Sequence, residues 1–377
     1  MTSMYDPLRN AHLGLITDVL RQQHARKIDF VTPASALTMM GADDGPMLSV
    51  HTGQQHLDAS GVTSISGVYR PADIFDEGVS DKLDIPIRYL RRMRAEHVAL
   101  YAHNINGWWA KDPGRKFLVR TFRSDESGVA RALLSDRFRV IDNLDFLMAT
   151  LDAVRETGME VRVRSADLSE RRMTVRLVCP EVSALAPTLL RGYRNPFTGQ
   201  TGEENPEVWS GIRISNSETG GGAWAIAPEF LVQVCTNGMT ITKDAIREVH
   251  LGGRLEPGLI NWSDETQQRS LELVKSKTKD AVRTFLDTEY MTKVITTAEE
   301  KADVALSTHK IDEQVKDVTK EVGFTAEQQD DILSYFIQSG QMTRGGIYNA
   351  ATLYAQTVED PDEAHLVDMR AAAILGL

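Results

Sequence analysis

One stretch of this 377-residue sequence concentrates groups that could hold a polyanion. Arg88, Arg91 and Arg92 are spaced to share one side of a helix over Pro86–Arg94, with Ile87, Tyr89, Leu90 and Met93 on the other. Trp108 and Trp109 follow, then Lys111, Arg115, Lys116, Arg120 and Arg123, and further on Arg137 and Arg139. Arginine and lysine neutralise phosphates, and exposed aromatic rings stack on unpaired bases. Between Arg88 and Arg139 twelve Arg/Lys face five acids, although the whole chain carries a net charge of −11. The competing reading makes Trp108 and Trp109 core anchors and the arginines a solvated face with ion pairs to neighbours.

Other chemistry has no comparable signature. The nine histidines show no HExxH spacing and no cysteine partners, and neither His51 with His56 nor His97 with His103 makes a persuasive metal pair. No GxSxG element appears. Thr219-Gly220-Gly221-Gly222-Ala223 lacks the Lys-Ser/Thr of a phosphate loop and reads as a turn between strands. No catalytic residue, metal site or cofactor is expected. Cys179 and Cys235 each lie in an apolar run, as buried thiols of a reducing compartment do. Asp6 and Arg9 interrupt any signal-peptide pattern, and no apolar stretch reaches the length of a membrane span. A cytoplasmic location is expected.

The elements that must position the basic residues follow from periodicity. Residues 1–67 read as a loop-rich region packed on the body, with one helix near Leu8–Gln23. Pro71 opens a helix, Asp84 caps the next, and His97–Trp109 forms a third. KFLVRTFR (Lys116–Arg123) alternates in part, as a half-exposed strand does. Asp142 or Asn143 caps a helix over Leu144–Glu156, whose Leu144, Leu147, Met148, Leu151 and Val154 should lie on a sheet containing Val161, Val163, Val175 and Leu177. A hairpin turns at Ser169–Glu170, and two strands flank the Gly-rich turn. Residues 263–310 read as one long helix or two in line. Residues 311–377 form an acidic helical unit, with twelve acids against four bases between Ile311 and Arg370. The fold class is α+β: a curved antiparallel sheet with packed helices in a core domain over 68–262, a long helix, and the C-terminal unit.

Five segments in this order carry a resemblance: Ser66-Gly67-Val68-Tyr69-Arg70; Ala132-Leu133-Leu134-Ser135-Asp136-Arg137-Phe138-Arg139 with Ile141-Asp142-Asn143; Ile214-Ser215-Asn216-Ser217-Glu218-Thr219-Gly220; Val234-Cys235-Thr236-Asn237-Gly238-Met239; and Gly346-Ile347-Tyr348-Asn349-Ala350-Ala351-Thr352. Together they resemble the phage and plasmid protein family catalogued as domain of unknown function nine hundred and thirty-two, over roughly residues 60–355. The layout is also loosely similar to ring-forming single-strand annealing proteins of the Rad52 type, by fold-level analogy. The resemblance implies a mobile-element protein that works on DNA. The resulting expectation is an oligomeric single-stranded DNA-binding protein, in which Arg88, Arg91, Arg92, Lys111, Arg115, Lys116, Arg120, Arg123, Arg137 and Arg139 meet phosphates and Trp108 or Trp109 stacks. The alternative is a structural or protein-interaction factor, such as a host-defence antagonist, whose acidic C-terminal unit binds a basic partner.

Overall fold

A computed structural model describes residues 6–58, 61–123, 128–234, 237–241, 243–248, 258–259, 264–307 and 309–377. The chain opens with β1 (Leu8–Ala11) and α1 (Leu13–Arg26), then β2 (Lys27–Pro33), β3 (Leu37–Ala42), β4 (Gly45–Val50), a small hairpin of β5 (Gln55–Asp58) and β6 (Gly61–Ser64), and β7 (Gly67–Pro71). Three helices follow: α2 (Asp73–Leu83), α3 (Ile87–Glu96) and α4 (Val98–Lys111). Next come β8 (Lys116–Phe122), β9 (Gly128–Ser135), α5 (Asn143–Glu156), β10 (Arg162–Leu168), β11 (Met173–Leu185), β12 (Glu207–Asn216) and β13 (Trp224–Val232). Short strands β14 (Asn237–Thr240), β15 (Ile246–Glu248) and β16 (Gly258–Leu259) lead to α6 (Asp264–Phe285) and α7 (Thr288–Ala302). The chain closes with α8 (Ile311–Glu321), α9 (Ala326–Ser339), α10 (Arg344–Thr357) and α11 (Pro361–Ile374).

The class is α+β, as expected, but two seven-stranded sheets share the work of one. The first runs β1-β10-β11-β12-β13-β14, with β15 also paired to β13, and every pairing in it is antiparallel. The second runs β16-β2-β8-β9-β7-β4-β3, and only its β7–β9 pair is parallel. Residues 1–67 are therefore not a loop-rich wrapping. Their described part supplies an edge strand of the first sheet, α1, three strands of the second (β2, β3 and β4, with β7 beginning at Gly67) and the separate β5–β6 hairpin.

Each sheet owns a core. One face of the second sheet carries Phe30, Phe117, Val119 and Leu133, covered by Phe75, Val79, Leu90, Tyr101, Ile105 and Trp109 from α2, α3 and α4. Alpha-helix α2 lies close because Gly78 faces the Leu133 carbonyl, where a Cβ would come within 2.4 Å. The first sheet buries Val175, Leu177, Ile212, Ile214, Ile226 and Phe230 in a larger core that α5, α6, α7 and the C-terminal helices complete. In α5 the buried stripe is Phe146, Leu147, Thr150, Ala153 and Val154. Leu147 and Val154 take their expected places, and Val175 and Leu177 are buried opposite. Leu144 and Leu151 are only half-buried, however, and Met148 is 44% exposed, so the packed face is turned by about a residue from the expected one.

Several caps also differ from expectation. Asp84 is the left-handed residue that closes α2 (φ 54°), not the cap of α3, which Pro86 precedes. The long helical segment is two helices, and Asp287 caps the second by accepting from the Tyr290 N–H at 2.9 Å. Thr325 and Gln328 form a reciprocal capping box on α9. Ten of the fourteen residues of α10 are buried, so the acidic C-terminal unit is built into the core of the first sheet rather than appended to it. No helix among the described residues is long and apolar enough to cross a membrane. Cys179 is buried on β11, whereas Cys235 lies outside the described residues.

Candidate functional site

The basic stretch separates into an outer and an inner set. On the outside, α3 buries Leu90 and Met93 and exposes Arg88, Tyr89, Arg91 and Arg92. Arg92 donates to Glu96 one turn on at 2.9 Å, and Arg91 reaches Glu77 of α2 at 3.0 Å. Arg88 forms no ion pair among the described residues. On α4, Trp108 is 42% exposed, and the Lys111 ammonium sits 4.8 Å above its ring. Arg115 is exposed and lies over the Phe117 ring at 5.1 Å, Arg123 and Arg137 are exposed, and Lys116 is half-buried. Arg139 is half-buried and donates to the Ser270 hydroxyl.

Two of the expected contact residues are interior. Trp109 packs in the core of the second sheet, because helical spacing turns it inward when Trp108 faces out. Arg120 is wholly buried. Strand β8 is not half-exposed: from Phe117 to Phe122 both of its faces are covered. Alternation of apolar and basic residues reads the same whether the second face meets water or another layer of protein.

Arg120 instead centres an ionic cluster where the second sheet meets α5 and the end of β12. Its Nε and Nη2 donate to Asp29 at 3.0 and 2.7 Å, Nη2 also to Asp142 at 2.5 Å, and Nη1 to the Glu218 carbonyl at 2.7 Å. Lys27 binds Asp142, and Arg131 binds the Glu218 carboxylate. The other Glu218 oxygen accepts from the Asn143 N–H at 2.9 Å, so a residue 75 positions away satisfies the first turn of α5. Asn216 donates to the Ile141 carbonyl and to Asn143 Oδ1, both at 2.9 Å. Thus the Ile141-Asp142-Asn143 and Asn216-Ser217-Glu218 segments, far apart in sequence, meet at one place. Burial alone would raise the Asp142 carboxyl, but Arg120 and Lys27 outweigh it and hold the acid far below the usual carboxylate range. His24, Asp142 and Asp145 have ligand atoms within 4.8 Å of one another. Lys27 and Arg120 already supply the positive charge that a metal ion would bring to Asp142.

A second polar region occupies the other face of the first sheet. Asp167 on β10, Arg176 on β11, Arg213 on β12 and Glu229 on β13 are buried there, beneath α11. Arg176 donates to Asp167 at 2.5 Å and to Asp368 of α11 at 3.0 Å, and approaches Glu229 at 3.5 Å. Arg9 of β1 adds a bond to Asp167 at 3.0 Å. Beside this group lies a cavity of about 360 Å³, lined by Arg9, Arg164, Arg176, Glu229 and Asp368. A neighbouring cavity of about 200 Å³ is lined by Arg172, Arg213, Arg247 and His365. The alternating Arg of the β10–β11 hairpin was a signal for a charged face. Its partners on β13 and α11 carry no local signal that pairs them.

No family model, no curated protein and no solved structure matches this chain.

Proposed function

We propose that this chain is a mobile-element protein of the family its ordered segments resemble, and that it binds single-stranded DNA through the solvent face of α3 and α4 and the connection into β8. The observation that carries the reading is the half-exposed Trp108 indole with Lys111 over its ring: an aromatic platform beside a cation, followed four residues later by exposed Arg115. A base stacked on the indole gains about 1–3 kcal/mol, and the flanking cations meet the phosphates. Among the described residues Arg88 has no ion pair to surrender, whereas Arg91 and Arg92 would exchange Glu77 and Glu96 for phosphate. Pairing of complementary strands needs no catalytic group, since strands held by their phosphates keep their base edges free. Homo-oligomer formation belongs to the proposal: Phe197 and Ile337 expose large apolar side chains, and Phe197 packs edge-on against Tyr335 of the same helix as Ile337.

The alternative, an interaction factor whose acidic tail mimics DNA, is weakened by the burial of α10 and by the use of Asp368 inside the sheet network. Filter binding with labelled oligonucleotides at low and moderate salt tests the proposal. Retention that falls as salt rises is expected, and no retention at either salt contradicts it.

A further inference from the structure

The roughly 200 Å³ cavity at the end of the first sheet has more positive charge than its surroundings balance. Arg176 and Arg9, with Arg213, face Asp167, Glu229 and Asp368, three bases against three acids. Arg172 and Arg247 then remain, and the nearest acid to Arg172, Asp362, lies outside the cavity lining and is shared with Arg171. Among the described residues Arg247 forms no ion pair, and no acidic side chain lines the cavity. Arg172 donates to the Gly221 carbonyl at 3.1 Å, within the Gly-rich turn whose Gly222 adopts φ 157° and lines the cavity.

The histidine at the cavity wall shows the same excess. Arg172 Nη1 meets His365 Nε2, and Arg213 Nη2 meets His365 Nδ1. A neutral imidazole has one accepting nitrogen, and the other carries a proton. Two guanidinium groups therefore compete for one acceptor, and one of the contacts sets donor against donor. Protonation would make it worse, and burial, followed by Arg213 and Arg172, drives the imidazole far below its ordinary range. Arg213 itself is buried, and its Nε has no hydrogen-bond partner among the described residues. Burial and then Arg176 pull it down to about 10, an unusual position for a guanidinium. A buried donor without an acceptor costs free energy, and a charged one costs more.

We propose that this cavity is a binding site for a phosphate group, free or carried as the monoester of a small molecule, held by Arg172, Arg213 and Arg247. A tetrahedral oxyanion offsets the excess positive charge that Asp362 only partly balances and offers acceptors to the guanidinium groups and to the His365 ring N–H together. The cavity is larger than the oxyanion needs, which leaves room for a small substituent. Ala223, Ala225 and Ala227 keep that room open on the strand side. The site shares no residue with the α3–α4 face and stands or falls separately from it.

Titration calorimetry on the full chain, with inorganic phosphate and with ribose 5-phosphate at matched ionic strength, tests the site. Saturable binding of both is expected, tighter for the monoester if the spare volume holds the sugar. Arg247→Ala should weaken binding roughly tenfold or more, the size of a lost charged hydrogen bond. Its side chain is exposed, so the fold should persist, and an unchanged melting temperature without ligand checks this. Arg172→Ala should weaken binding further, and Arg88→Ala should leave it unchanged. Absence of saturable heat with both probes up to roughly 10 mM overturns the proposal. So does undiminished affinity in a folded Arg247→Ala protein.

Discussion

Arg120 and Arg213 are both buried arginines on inner strands, one in each sheet, and their surroundings oppose each other. Arg120 has Asp29, Asp142 and Glu218 about it. Burial would lower its basicity, but the three acids more than reverse that, and the guanidinium is held more firmly charged than in water. Arg213 shares Asp368 with Arg176, bonds Thr240 and His365, and feels Glu229 and Asp167 more weakly; burial and Arg176 outweigh these acids, and its basicity falls. The same residue type, equally desolvated, is a clasp in one sheet and a partly satisfied donor crowded by like charge in the other. The sign of the neighbouring charge decides which.

The largest effect is expected from removing what the clasp and the C-terminal helices hold together. Truncation at Lys310 deletes α8–α11, including the buried face of α10, and should abolish cooperative unfolding and any assembly, with DNA affinity falling rather than rising. Circular dichroism melts and size-exclusion chromatography read this out. A folded truncated protein with stronger binding would restore the competing-tail reading.

Arg120→Met should cost about 3–5 kcal/mol in denaturant melts, because it leaves buried carboxylates unpaired. Arg213→Met should cost less than half as much, since Asp368 keeps Arg176 and a repulsion disappears. Equal losses would break the comparison. Leu147→Ala should cost about 2–5 kcal/mol. Met148→Ala, one residue on, should stay within about 0.5 kcal/mol, as exposed changes do.

His365 sharpens the contrast through pH. Its folded-state pKa is depressed, so the unfolded chain binds a proton that the folded chain refuses. Its contribution is present above the unfolded value near 6.5 and is lost as pH falls below it. Between pH 6 and 5 wild-type stability should fall about 1 kcal/mol per pH unit more steeply than that of His365→Gln. Parallel slopes would mean that the ring is accessible to protons in the folded state.

Local pattern made some of this legible. The amphipathic period of α3, the hairpin at Ser169–Glu170 and the α+β class all follow from nearest-neighbour chemistry. Arg120 is interior although its pattern reads as exposed, because a basic residue between apolar ones marks a strand without saying what covers it. Asp29, Asp142 and Glu218 are each unremarkable in their own segments, and only pairing across the two sheets makes them a set. The strands before Gly67 are short and rich in Gly, Ser and Thr, which gave them the composition of loops. The packed face of α5 is ambiguous in the sequence because Leu144, Met148 and Leu151 form an apolar series beside the one containing Phe146 and Thr150 that packs.

The outer arginines should behave unlike either inner one. Fluorescence anisotropy of a labelled oligonucleotide, titrated across a salt series with wild type, Trp108→Ala and Arg88→Ala, tests the DNA-binding reading most directly. Wild type should bind with an affinity that falls as salt rises. Trp108→Ala should lose about 1–3 kcal/mol of binding at every salt, and Arg88→Ala should reduce the salt slope by about one unit, with stability changed by no more than about 0.5 kcal/mol in both. Absence of binding, or binding that neither substitution alters, would contradict the assignment of this face to DNA.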